Sequence, residues 1–262
     1  MTNTITTPSA RQRIVEASAD RKTALVAGVL YLVTFIGSIP ALPLYHDILK
    51  DRNHILHGGS DTGVLWGALL EITCALAAIG TAVVLYRVIT RHSPTRALGF
   101  VASRVFEAAM IGVGVVSVLA IVTLHQDAAG MSGAASTGLV STVRGLVAVH
   151  DWTFLVGPGL MPAVNALCLA TVLYRTRLVP RVIPLLGLIG APLLVAAFIG
   201  ILFGTFDQVS PVSALAALPI AAWEFSLGVW LVVKGFQPMP AASSSAPVLD
   251  ERLEPDLAPA PA

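Results

Sequence analysis

The chain has 262 residues, of which 55% are hydrophobic and only 12% charged, with a formal net charge of +1 and a mean hydropathy of +0.80. A soluble domain carries about twice that share of charge, and apolar runs of about twenty residues indicate transmembrane spans. The near-neutral charge and the lack of any basic patch exclude a nucleic-acid binder.

Residues 1–20 are polar and rich in Thr, Ser and Ala, which predicts a disordered leader. No cleavable signal peptide is expected, because the first apolar run follows this leader and ends without a small-residue cleavage site. Arg11, Arg13, Arg21 and Lys22 precede that run, Ala24 to Leu44, which closes on Pro40 and Pro43. At about 1.5 Å per residue it is long enough to cross a bilayer core. A polar loop over 45–62 carries His46, His54 and His57, and leads to a second span from Gly63 to Tyr86. The basic link 87–96 then precedes a third span, Leu98 to Leu124.

A loop of small residues follows. The stretch Leu139 to Val149 is too short to cross alone and is interrupted by Arg144, so it is expected to lie at the interface. The fourth span runs from Trp152 to Tyr174, the fifth from Val182 to Phe206, and the sixth from Val212 to Val233. Residues 237–262 are rich in Pro, Ala and Ser with four carboxylates, a composition that cannot form a core and reads as a disordered tail. The expected fold is therefore all-α, an integral membrane bundle of six transmembrane helices over residues 21–236. Cys74 and Cys168 both fall within apolar runs, as buried small hydrophobes rather than a disulfide or metal pair.

Lys and Arg near the span ends set orientation. They gather on one side, in the leader, at Arg87, Arg91 and Arg96, at Arg175, Arg177 and Arg181, and at Lys234. The other side has only Lys50, Arg52 and Arg144. Both termini are therefore expected in the cytoplasm. The segments Val84-Leu85-Tyr86-Arg87 and Val172-Leu173-Tyr174-Arg175 end the second and fourth spans alike, which ordinary interfacial anchoring explains.

Several stretches together carry a family resemblance. They are Arg104-Val105-Phe106-Glu107-Ala108, the run from His150 through Gly159, Tyr174 through Arg181, and Trp223 through Phe236. In these the chain resembles the polytopic membrane proteins grouped as domain of unknown function 4386, over roughly residues 20 to 236. The resemblance implies a bacterial inner-membrane protein with a six-helix fold, and brings no substrate, cofactor or catalytic residue.

The charges inside the spans are the informative residues, since ionisable groups at membrane depth turn inward and find partners. Arg104 and Glu107 share a helix face in the third span. Glu107 lies roughly 13 Å in from the basic side, and Glu224 of the sixth span lies at a similar depth. If those two spans pack together, Arg104 can bridge both carboxylates. The cluster is then a proton relay or a binding centre, or else a buried charge group that fixes helix register. Glu71, in the outer third of the second span, is expected to stand apart from this layer.

The fourth span holds Gly157-Pro158-Gly159-Leu160-Met161-Pro162, which should break the helix; Asn165, one turn on, can cap freed carbonyls or donate to another helix. Gly187, Gly190, Gly200 and Gly204 would permit close helix contacts in the fifth. On the outer side, His54, His57, His150 and Asp151 are of suitable type for a zinc site with an open position. Three functions remain open: a small-solute or proton-coupled carrier built on the Arg/Glu cluster, a membrane metal hydrolase using the outer His/Asp set, and a non-catalytic scaffold. The lipid bilayer is the partner implied; no cofactor or protein partner is indicated.

Overall fold

A computed structural model describes residues 10–50, 60–127 and 134–237. Those residues form α1 (Ala10–Ser38), α2 (Ala41–Leu44), α3 (His46–Lys50), α4 (Thr62–Thr90), α5 (Pro94–Asp127), α6 (Ala134–Val156), α7 (Met161–Thr176), α8 (Val182–Leu202) and α9 (Pro211–Val233). No strand occurs among them. Six stretches are long and apolar enough to span a membrane: 19–44, 62–90, 94–127, 137–176, 182–202 and 211–233.

These helices are apolar nearly all round, so side-chain size rather than polarity decides which face turns inward. In α4 the buried positions include Gly67, Ala68, Cys74, Ala77, Ala78 and Ala82. The large residues Leu65, Leu69, Ile72, Leu76 and Val83 point outward, Leu76 and Val83 each 65% exposed. Lipid solvates Leu as well as a neighbouring helix does, so association depends on close backbone approach between small residues. At the α1–α9 contact a Cβ on Gly28 would lie 2.7 Å from the Gly228 carbonyl oxygen. At α8–α9, Gly187 lies against the Trp223 ring and Gly190 against Ile220.

The contacts close into a ring, in the order α1, α4, α5, α7, α8, α9 and back to α1. The helix α6 packs on α5 and precedes α7 within the same candidate span. The largest core cluster fills the ring on the side of the basic links, with Ile89, Phe100, Leu173 and Leu231 among its members. A second cluster, including Ile48, Val64, Ile121 and Val143, packs α3, α4, α5 and α6 together on the opposite side. At the basic face Arg21 donates to the Leu231 and Val232 carbonyls at the end of α9, at 3.0 and 2.8 Å. A cation there complements the helix dipole. At the opposite face His125 and Asp61 join the ends of α5 and α4 at 2.8 Å.

Several sequence expectations are corrected. The stretch 139–149 is not a separate interfacial segment; it belongs to α6, which runs unbroken to Val156 before the chain turns into α7. Its apolar side packs on α5 rather than lying at a surface, and Val143 is buried. α1 begins at Ala10, inside the expected leader. The Gly200/Gly204 pair makes no helix–helix contact: α8 ends at Leu202, and Gly204 occupies a left-handed turn, φ 70°, with open space around its Cβ position. The tail beyond 237 lies outside the described residues.

Close approach at Gly28 gives a direct test. Gly28→Ala should lower the melting temperature of the detergent-solubilised protein by several degrees, since overpacking costs about 1–3 kcal/mol. Gly112→Ala, at a position with nothing within 4 Å of its Cβ, should leave it unchanged.

Candidate functional site

Arg104 is 2% exposed and projects from α5 into the ring. Its Nη1 donates to Glu107 Oε2 at 3.1 Å and its Nη2 to Glu224 Oε1 at 2.5 Å. α5 and α9 are not neighbours in the ring. The expected bridge is therefore made, but not by packing the two helices together: the long guanidinium side chain crosses the interior. Tyr31 from α1 and Phe100 from α5 lie against the guanidinium, with ring centroids 5.2 and 5.8 Å away, an arrangement that stabilises a cation. The buried Nε makes no hydrogen bond.

Asn165 adopts the second of its two expected roles. Its Nδ2 donates to Glu107 Oε2 at 2.6 Å, and its Oδ1 accepts from Ser103 Oγ at 2.5 Å. The helix break needs no such cap. Gly157 N–H donates to the Thr153 carbonyl, Gly159 N–H to Phe154, and Met161 N–H to Gly157. Pro158 and Pro162 have no N–H to satisfy. The break instead shifts the register so that α7 presents Asn165 to the cluster. Four helices thus meet at one polar layer: α1 through Tyr31, α5 through Ser103, Arg104 and Glu107, α7 through Asn165, and α9 through Glu224.

Above this layer lies a cavity of about 290 Å³. Its walls are mostly carbon, from Phe35, Ile39, Leu42, Phe154, Leu194 and Ile220, and the break contributes Pro158 and Pro162. Arg104, Glu107 and Glu224 also line it, and so does Glu71. Glu71, expected to stand apart, is thus joined to the layer through shared open space. It is 9% exposed and forms no ion pair with another described residue.

Glu71 also borders a void of about 10 Å³, together with Gly114, His150 and Thr153, about the room one water requires. His150 is buried, stacked on Phe154 and edge-on to Tyr45. The Tyr45 hydroxyl is buried beside Glu71. Burial, reinforced by that carboxylate, raises the Tyr45 phenol well above its ordinary pKa, so it stays protonated.

The outer His/Asp set is less coherent. His54 and His57 lie outside the described residues. His150 Nδ1 and Asp151 Oδ1 are 3.4 Å apart, yet the Asp151 side chain is 59% exposed while that of His150 is 7% exposed. Among the described residues no three His, Cys, Asp or Glu side chains converge in a way that could hold a metal ion. Residues missed by sequence reasoning include Tyr31 and Ser103 in the layer, and Phe35 and Ser38 on the cavity wall. The spacing of Ser103 one residue before Arg104 carried a signal; the α1 residues carried none, because the half of their helix from Ala24 on holds no charged residue to mark an inner face.

The fold and this interior define a multi-pass integral membrane protein whose ionisable residues gather around a central cavity. Residues 26–235 match the family described as domain of unknown function (DUF4386), and the chain belongs to that family. No curated protein and no solved structure matches the chain.

Asn165→Leu should leave Glu107 one donor short and cost about 1–3 kcal/mol, as an unsatisfied buried polar group does. A fall in melting temperature relative to Leu167→Ala, at an exposed position on the same helix, checks this.

Proposed function

We propose that the protein is a small-solute carrier, coupled to protons through Arg104, Glu107 and Glu224. The observation that supports this reading best is the cavity at membrane depth whose floor is that cluster. A scaffold whose charges only fix helix register has no need of a recess that brings those charges to open space. One Arg serving two carboxylates leaves one negative charge over. In an apolar interior that surplus favours holding a proton, and a group that exchanges a proton as its surroundings change is what coupling requires.

In this reading the largest core cluster closes the cavity toward the basic face, and the opposite face is the open side. The break between α6 and α7 is the flexible element, since irregular backbone at membrane depth is tolerated where it borders a cavity. By the distribution of Lys and Arg, the basic face is cytoplasmic and carries both termini; a bacterial inner membrane as host is what the family resemblance implies. Glu71, the water-sized void and His150 form a line by which protons reach the cavity from the outer side.

Ala221 lines the cavity and reports on its access. An Ala221→Cys variant, with Cys74→Ser and Cys168→Ser, is placed in right-side-out and inverted vesicles. A membrane-impermeant methanethiosulfonate should label it from each face in turn. Labelling from one face only, or from neither, would overturn the carrier reading.

A further inference from the structure

We propose that the cavity takes an organic cation with an apolar body, exchanged for protons held on its carboxylates; this rests on the carrier reading above. Three carboxylates and one guanidinium line the space. Both terminal nitrogens of Arg104 already engage carboxylates, through Glu107 and Glu224, so an incoming anion finds its best donor taken and meets a surplus of negative charge. Glu71 forms no ion pair with a Lys or Arg among the described residues, and its basic neighbour is the buried imidazole of His150. Uncompensated carboxylates in so apolar a setting are costly, and either a proton or a bound cation removes the cost.

The walls decide which kind of cation. A bare metal ion of the Ca²⁺ type needs about six to eight oxygen ligands at short range, whereas most of this surface is carbon. Phe35 and Phe154 bring aromatic rings to the lining, and a cation beside an aromatic ring is attracted by its quadrupole. A volume of about 290 Å³ is at the small end of ligand pockets, which run to about 1,000 Å³. A quaternary or protonated amine with one ring or a few alkyl groups fits these terms.

The exchange balances simply. Each positive charge that enters displaces one proton from a carboxyl O–H, and the proton leaves to the aqueous phase on the side from which the cation came. When the cavity turns to the other face, a proton rebinds and the cation departs. The titratable groups around the cavity are Tyr31 from α1, Glu71 and Cys74 from α4, Arg104 and Glu107 from α5, and Glu224 from α9. His150 of α6 and Tyr45, at the end of α2, border Glu71, and α8 contains no titratable residue. Because the carboxylates must be unprotonated to hold the cation, binding strengthens as pH rises and weakens as it falls.

The same Ala221→Cys protein supplies the test. The rate ratio of the cationic trimethylammonium-ethyl methanethiosulfonate to the anionic sulfonatoethyl reagent should exceed the ratio for a free thiol in solution by at least about tenfold, as a local negative field dictates. Glu71→Gln, which leaves the Arg104 cluster intact, should reduce that ratio, and adding Glu224→Gln should bring it near the value for a free thiol. Benzyltrimethylammonium should slow the labelling, more at high pH than at low, and should release protons in weakly buffered detergent solution. A ratio no higher than that of a free thiol, or neither protection nor proton release by benzyltrimethylammonium, would overturn the cation assignment. Labelling from both faces without charge preference keeps the carrier and removes the cation; charge preference with labelling from one face keeps the cation site and removes the carrier. Melting curves of each variant separate these results from a loss of folding.

Discussion

One guanidinium shared by two carboxylates, in the interior of the helix bundle, constrains everything else in this molecule. Arg104 must stay near Glu107 on its own helix and near Glu224 on a helix that is not its neighbour. Removing one member of such a buried group leaves an uncompensated charge, at a cost of about 3–5 kcal/mol. The distance across the ring is therefore held from within. Asn165 extends the same constraint to α7, and Tyr31 extends it to α1.

The rest of the ring depends on small residues rather than large ones. Between apolar helices in lipid there is little hydrophobic reason to associate, so contacts such as Gly28 with Gly228 and Gly190 with Ile220 carry the packing. Large side chains face outward, where lipid accepts them. Pairwise packing around a polar centre leaves the middle incompletely filled, and the break at Gly157–Leu160 widens that space. The cavity is thus a consequence of the same features that hold the bundle: a layer of charge that cannot be covered by apolar atoms, and a helix that cannot run straight past it.

Much of this was legible in the sequence. Six spans follow from run length and composition, because a bilayer sets a minimum apolar length and tolerates few charges within it. Arg104, Glu107 and Glu224 stood out for the same reason, and equal depth followed from counting residues along each helix. The break in the fourth span was readable from Pro158 and Pro162. The extent of α6 was not, since Arg144 interrupts the apolar run and only packing against α5 gives Leu139–Val149 a buried side. Gly204 was misread because spacing alone does not reveal where a helix ends.

The sequence by itself determined the class of protein, the number of crossings and the depth of each interior charge, because those depend only on distance along a chain in a slab of fixed thickness. Tertiary structure alone decided which helices are neighbours, that Arg104 reaches across the ring instead of along a packed interface, and that Glu71 shares open space with the cluster. It also decided that Tyr31 joins the polar layer and that Asn165, expected in the polar cluster, bonds Glu107 and Ser103. Helices apolar on every face carry no periodic mark of their inner side. The choice of inner face is made by mutual fit among all six, which no single segment encodes.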